Sequence, residues 1–326
     1  MNVGLDLGTT QFRSTRTLQG ELIVRQCPAT YLAVADSAGH QRLIDNTRAQ
    51  HATCGTDLIV FGDDAIDCAA MLDLPVTPLL RNGKLPSDDP VARQVLALMI
   101  DAVLPPADRR TDVCCLIVPG GYHFEANDIP FDVRFLQQLT TLRGYVPRLI
   151  SSSQAIVLAE LPQASFSGLG ISLGAASCEF GVIHCGQELA RISIASPLGE
   201  LADAFSADST SPSSERHIFS VDSARQAAWE HNCFRLLVSI LNEAREKLAE
   251  SNGIRLLPQS AHVVCAGGIT AADGFSKAFE AAWEKAAWPV SAIRIRIASD
   301  PTYTIARGAL IQAHLENPST EERSAA

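Results

Sequence analysis

The sequence has no apolar run near the roughly 18 residues that a membrane-crossing helix requires, so no integral membrane segment is expected. The first residues, Met1-Asn2-Val3-Gly4-Leu5-Asp6, carry neither a basic flank nor an extended apolar core. No signal peptide is therefore expected, and a cytoplasmic location is. Basic residues are the minority charge: 26 Lys and Arg against 36 Asp and Glu leave a formal net charge of −10. Nucleic acid is not an expected partner, because no basic face would draw its phosphates. The nine cysteines contain no Cys-x-x-Cys pair. Cys114 and Cys115 are adjacent on the apolar run 113–118, where neighbouring strand residues point to opposite faces and do not chelate one metal. Cys178, His184 and Cys185 come nearest to a metal cluster and read as buried strand thiols, reduced in a cytosol. Ser, His and Asp all occur, but no Gly-x-Ser-x-Gly nucleophile elbow is read, so a hydrolase is not expected.

What is present is globular. The chain has 326 residues, 47% apolar and 19% charged, enough for two domains with buried sheets. Strand and helix patterns alternate, which predicts an α/β architecture. Residues 3–7 form an apolar strand, 11–25 a hairpin turning at Gly20, and a less regular region follows to about residue 80. Asp89-Pro90 opens a helix whose Val91, Val95, Leu98 and Ala102 share a face, and Pro105-Pro106 ends it. A strand at 113–118 precedes a helix marked by Phe131, Phe135, Leu139 and Leu142, with Gly144 as its stop. A short strand at 149–150 leads through Ser151-Ser152-Ser153 into a helix reaching about residue 160.

The second half restarts the pattern. Strands are predicted at 168–174, 179–185 and 188–195, then a polar loop at 206–216. A long helix follows at about 222–250, striped by Leu236, Ile240, Ala244 and Leu248. Beyond it lie a strand at 261–266, a helix from about 271, a strand at 293–297 and a helix at 304–314. Trp229, Trp283 and Trp288 are expected to pack helices onto sheets. Arg294 and Arg296 are expected on a solvated strand face, and Glu243 with Lys247 forms a helix surface pair.

A duplication carries the functional reading. Gly4-Leu5-Asp6-Leu7-Gly8-Thr9-Thr10 lays over Gly170-Ile171-Ser172-Leu173-Gly174-Ala175-Ala176, each a strand running into a small-residue turn. Two such turns facing across a cleft suit a polyphosphate: glycine admits close backbone approach, N–H groups point at oxygens and threonine hydroxyls add donors. An acid just before the turn can hold Mg²⁺ through water. Taken alone, the first copy also fits an ordinary hairpin turn.

Two further segments join the first turn: Val263-Val264-Cys265-Ala266-Gly267-Gly268-Ile269, and Ala298-Ser299-Asp300-Pro301 running to Ala306-Arg307-Gly308-Ala309. With these in order, the chain resembles the actin/Hsp70/sugar-kinase ATPase superfamily, and is most similar to its MreB and Hsp70 branch. The resemblance implies two ribonuclease-H-like lobes around a nucleotide cleft, the actin-like ATPase fold. It implies a first lobe at 1–165 with an inserted subdomain at about 26–110, a second lobe at 166–316 and a flexible tail at 317–326. It further implies ATP and Mg²⁺ as cofactors. Asp6, Gly8, Thr9 and Thr10 would make the first phosphate loop, with Asp6 holding metal through water. Gly174 and Ser177 would belong to the second loop, Gly199 and Asp203 to the segment near ribose and phosphate, and Gly267 and Gly268 to the nucleoside side. The segment 306–309 would be an inter-lobe helix with a packing role.

Departures from the family pattern limit what the resemblance implies about catalysis. Relatives carry Asp-x-Gly-Gly-Gly-Thr-Thr in the second loop, where this chain has Ser172 to Cys178. A carboxylate is missing and two glycines carry methyl groups, each costing about 1 kcal/mol if it takes a left-handed conformation. Ser152 stands where relatives place a catalytic glutamate, and a neutral hydroxyl cannot replace a general base worth 10²–10⁴-fold. Gln154 is the residue left to orient water by hydrogen bonding. Gly199 and Gly267 are 68 positions apart, too few for the subdomain that relatives place there, so the second lobe is expected to lack most of its upper subdomain and to bind nucleotide weakly. The leading expectation is a nucleotide-binding protein with weak or no ATP hydrolysis, ATPase at most. It would act in the bacterial cytoskeleton, in cell shape or division, or as an assembly protein, through self-association or protein partners. An Hsp70-like chaperone or scaffold module without a substrate-binding domain, and an active ATPase, stand as alternatives.

Overall fold

The computed structural model describes residues 1–86, 89–118, 129–201, 218–258 and 260–317. The chain divides into two compact units, Met1–Ile150 with Ala309–Ala326, and Ser151–Gly308.

In the first unit, β1 (Val3–Leu7), β2 (Gln11–Leu18) and β3 (Glu21–Pro28) form an antiparallel meander. A smaller layer follows: β4 (Thr30–Ala35), α1 (Ala38–Thr47), β5 (His51–Cys54), β6 (Asp57–Phe61), α2 (Asp63–Leu72) and β7 (Thr77–Pro78). Then come α3 (Pro90–Val103), β8 (Val113–Ile117), α4 (Phe131–Leu142) and β9 (Val146–Leu149). The main sheet has the order β3-β2-β1-β8-β9, with β8 parallel to β1, and the smaller sheet the order β5-β6-β4-β7. Every residue of β1 is buried, because a central strand is covered on both faces, and its continuous Val-Gly-Leu-Asp-Leu run reflects that. Leu5, Leu7 and Phe12 of this sheet meet Leu96, Met99 and Ile100 of α3 in one core.

The start of α3 is as expected. The Asp89 carboxylate accepts a hydrogen bond from the Ala92 N–H at 3.0 Å, and Pro90 occupies the first turn. Its buried face is Ala92, Val95, Leu96, Met99, Ile100 and Val103, turned about one residue from the expected stripe, so that Ala102 is exposed. The expected stripe of α4 is borne out at its centre, where Phe135 and Leu139 pack against the core, but not at its ends. Phe131 and Leu142 are exposed, Val133, Leu136 and Thr140 are buried, and the Arg93 guanidinium lies over the Phe131 and Phe135 rings at 5.2 and 4.2 Å. The region expected to be irregular, to about residue 80, instead holds the second sheet with α1 and α2 around Leu32, Val60 and Cys68.

The second unit repeats the first. It opens with α5 (Ser152–Glu160), then β10 (Gly168–Leu173), β11 (Ser177–His184) and β12 (Gln187–Ala195). These are followed by α6 (Ile218–Glu250), β13 (Ser260–Ala266), α7 (Phe275–Ala286) and β14 (Ser291–Ile297). A last helix, α8 (Thr304–Glu316), begins in this unit and ends in the first. The sheet order β12-β11-β10-β13-β14 matches the first sheet strand for strand, with β11 antiparallel and β13 parallel to β10. Each is the ribonuclease-H-like arrangement, so the duplication seen in two short segments extends to whole sheets.

The helix α6 buries Trp229, Cys233, Leu237, Ile240, Leu241, Ala244 and Leu248 against this sheet. Trp283 and Trp288 stack at 4.9 Å, and Trp288 stacks on Phe180 at 6.1 Å, which bears out their packing role. The expected polar loop at 206–216 and the tail beyond Asn317 lie outside the described residues. Asn317 itself donates to the Thr111 carbonyl at 2.7 Å. Cys178 is a buried strand thiol as expected, but Cys185 is exposed at the β11–β12 turn. Arg296 is not solely a solvated side chain: it pairs with the buried Glu160 at 2.8 Å. Among the described residues no helix is long and apolar enough to cross a membrane.

Candidate phosphate-binding turns

The first turn joins β1 to β2. Asp6 faces Arg13 across the hairpin, with Arg13 Nη1 3.9 Å from the carboxylate. Asp6 is 5% exposed, and loss of water pushes its pKa up to about 6 while the Arg13 guanidinium pulls it down less strongly. Gly8 follows, and a β-carbon there would come within 2.9 Å of the Gln11 carbonyl oxygen, so the turn closes only over a glycine. Thr9 is half-buried and Thr10 exposed, while the Thr10 carbonyl accepts from the Ala29 N–H at 2.9 Å.

The second turn, between β10 and β11, has the same construction. A β-carbon on Gly174 would lie 2.7 Å from the Ser177 carbonyl oxygen, which already accepts the Gly174 N–H at 3.0 Å. Two other expected residues converge on it. The Gly199 N–H donates to the Ala175 carbonyl at 3.1 Å, and a side chain at Gly199 would collide with that carbonyl. Gly267 ends β13 with φ 142° against the Leu173 carbonyl, where any side chain would overlap backbone. Gly268, by contrast, has open space where a side chain would be. Gly174, Ser177, Gly199 and Gly267 are thus brought together at one end of the second sheet. Asp203 lies outside the described residues.

The methyl groups in this turn cost less than expected. Neither Ala175 nor Ala176 has a positive φ, so the alanines carry no left-handed strain. What the turn lacks is chemistry. Ser172 stands at the Asp6 position, and Ala175 and Ala176 replace the two threonine hydroxyls.

The acid of this hairpin sits on the opposite strand, a feature missed in the sequence. Ser172 pairs with Glu179 as Asp6 pairs with Arg13, each seven residues on, and that equal spacing was the available signal. Glu179 is buried and fully engaged. Its Oε1 accepts from the Ser153 N–H at 2.8 Å and the Ser153 hydroxyl at 2.9 Å, and Arg191 pairs with Oε2 at 3.5 Å. Burial pushes its pKa up, opposed by Arg191 and the Ser153 hydrogen bonds. The Ser153 backbone can approach because Gly170 and Gly181 are cross-strand partners, and a β-carbon on either would collide with Ser153.

Ser151 caps α5 by accepting from the Gln154 N–H at 3.1 Å, and Ser152 is half-buried beside it. The Gln154 amide donates to the Gly186 carbonyl at 2.8 Å, which ties it to the β11–β12 turn rather than leaving its amide free to orient water. The segment Gly170-Ile171-Ser172-Leu173-Gly174 does spell Gly-x-Ser-x-Gly, contrary to the expectation above. Ser172 lies within extended β10 opposite a carboxylate, not on a strand-to-helix turn, so it has none of the geometry of a nucleophile elbow.

The donor set bears on Mg²⁺. Among the described residues no three His, Cys, Asp or Glu side chains cluster to hold a metal. A Mg²⁺ ion that keeps its waters and takes phosphate oxygens needs one or two carboxylates, and Asp6 can serve as that single protein donor.

A family model described as Volactin matches residues 1–313. No curated protein sequence matches. Among solved structures the chain is similar to MreB5 of Spiroplasma citri bound to AMPPNP, at 16% identity and TM-score 0.58 over 97% of this chain and 98% of that one. It is similar to the MamK double helical filament at 15% identity and TM-score 0.57, covering 96% and 98%. The ethanolamine utilization protein EutJ from Carboxydothermus hydrogenoformans matches at 13% identity and TM-score 0.50, covering 95% and 89%. These likenesses establish the actin-like ATPase fold, shared with MreB-like proteins, and the chain belongs to the Volactin family.

Proposed function

We propose that this protein is a cytoplasmic actin-fold nucleotide-binding protein that self-associates in a cytoskeletal or assembly role and hydrolyses ATP weakly or not at all. The observation that carries the reading is the asymmetry of its two hairpins. The first keeps Asp6, Gly8, Thr9 and Thr10, the groups suited to phosphate and to one water-mediated Mg²⁺ contact. The second has Ser172 and two alanines in the corresponding positions, and its acid, Glu179, is consumed by Ser153 and Arg191. Gly174, Ser177, Gly199, Gly267, Gly268 and Asp203 are the proposed nucleotide residues of the second unit. Nucleotide-bound MreB5 and the MamK filament support binding and self-association by analogy of fold.

Bound Mg²⁺ would neutralise phosphate charge; Asp6 would orient it through water, and the turn backbone and threonine hydroxyls would hold the phosphates. Ser152 has no carboxylate to accept a proton from attacking water, which is why turnover is expected to be slow. The test measures melting temperature with Mg-ATP, phosphate release, and pelleting with and without nucleotide. A rise in melting temperature abolished by Asp6→Ala, with phosphate release near background, is the expected result. Turnover present in the wild type and lost in Asp6→Ala would overturn the degenerate reading, and no thermal response to ATP would overturn nucleotide binding.

A further inference from the structure

The second unit contains a basic recess that plays no part in the turns described above. It lies on the face of the sheet beneath the end of α5, has a volume of about 260 Å³, and is lined by Leu161, Gln163, Ala164, His262, Arg294 and Arg296. None of the described residues that line it is acidic, on a chain whose net charge is −10. Its polar wall follows from register. His262 on β13 pairs with Arg294 on β14, and Val264 with Arg296, so the imidazole and both guanidinium groups arise on one face at the sheet edge.

The two arginines are in different states. Arg296 is held in place: Nη1 donates to the Glu160 carbonyl at 3.1 Å and Nη2 pairs with the Glu160 carboxylate at 2.8 Å, leaving further donors on the guanidinium unused. Glu160 is 1% exposed and also pairs with Arg307 at 2.5 Å, so one carboxylate serves two guanidinium groups and a positive charge is left over. Arg294 is exposed and has no hydrogen-bond or ion-pair partner among the described residues. Gln163, exposed on the short turn after α5, adds an amide donor at the rim. A second cavity of about 190 Å³ adjoins this one through Ala164 and His262, and Leu257 and Pro258 give it an apolar wall.

We propose that this recess binds an oxyanion, a phosphate or carboxylate group presented by a ligand, with Arg294 as the recruiting cation and Arg296 as the fixed one. A planar guanidinium held by a buried acid is pre-organised for a two-oxygen contact, and its exposed neighbour, unpaired among the described residues, adds a second cation for the same anion. The adjoining cavity, apolar at Leu257 and Pro258 and polar at Ser167, His184 and Ser260, receives whatever carries the anionic group.

The test titrates the whole chain with sodium phosphate and separately with sodium acetate, ionic strength being held constant with chloride. Arginine side-chain NMR of Arg294 and Arg296 and thermal melting follow binding. The expected result is a saturable shift of both guanidinium resonances. Arg294→Gln should weaken the saturation read at Arg296 about tenfold, while Asp6→Ala leaves it unchanged, which separates this recess from the proposed phosphate turns. Saturation by phosphate alone names a phosphoryl group, and saturation by acetate as well names a carboxylate. Failure of both anions to saturate, or undiminished binding in Arg294→Gln, overturns the proposal.

Discussion

Asp6 carries a cost that its neighbours do not remove. Its carboxylate is buried in a central strand, Arg13 approaches only to 3.9 Å, and its pKa is pushed up to about 6. A carboxyl that holds its proton more tightly when folded makes the native state bind more protons than the unfolded chain between the two pKa values, so stability falls as pH rises through that window. The penalty is absent below about pH 4 and fully present above about pH 6. Asp6→Asn mimics the protonated form and is expected to stabilise the protein by about 3 kcal/mol at about pH 8, with no gain at about pH 4. Urea unfolding at the two pH values checks this, and an equal effect at both would show that ionisation of Asp6 is not the cause. A residue that lowers stability where it stands is one for which a functional reason is expected. Gly308 shows the opposite case: a β-carbon there would collide with the Ala155 carbonyl, so its conformity to the Ala-Arg-Gly-Ala motif follows from helix packing alone.

The start of α5 shows how an element is positioned by groups distant in sequence. Ser151 supplies a local cap, but the Ser153 N–H and hydroxyl both donate to Glu179, and the Gly170–Gly181 pair provides the space. Glu179→Ala removes the acceptor from two buried donors and a partner from Arg191, and is expected to cost about 3 kcal/mol. Glu179→Gln retains an acceptor for Ser153 and is expected to cost about 1 kcal/mol. Equal losses in urea unfolding would mean that the Arg191 pair, not the contact with α5, is what Glu179 supplies. The contrast also marks what the sequence made legible. The elements with strong local signals, such as β1 with its unbroken apolar run and α3 with its Asp-Pro start, were readable. The faces of α3 and α4 were legible only in part, because an apolar residue such as Phe131 can stay exposed beside Arg93, outside the core. The small sheet was missed because its outer strands β5 and β7 have only four and two residues and α1 buries only Ile44, too little to make a periodic signal. The residues of the second turn were legible as glycines, while Glu179 was not, since its role depends on register rather than on motif.

At the scale of the whole molecule, one sheet plan is used twice and its central cross-strand pair is filled differently. The first unit sets Asp6 against Arg13, and the second sets Ser172 against Glu179. The serine at position 172, where the first unit has Asp6, is therefore tied to the acid that faces it. Directly opposed residues of an antiparallel pair share a face at close range, so a carboxylate at 172 would confront the buried Glu179 carboxylate. Ser172→Asp alone is expected to destabilise the protein by about 2–4 kcal/mol, and increasingly as pH rises and both acids ionise. Combining it with Glu179→Gln removes one charge, and the double variant is expected to be more stable than the sum of the single losses by at least about 1 kcal/mol. Denaturant unfolding of the two single variants and the double variant measures this coupling. Strict additivity would mean that the two positions changed independently, whereas a positive coupling means that Glu179, once committed to holding α5, excludes the aspartate that a second metal-organising turn would need.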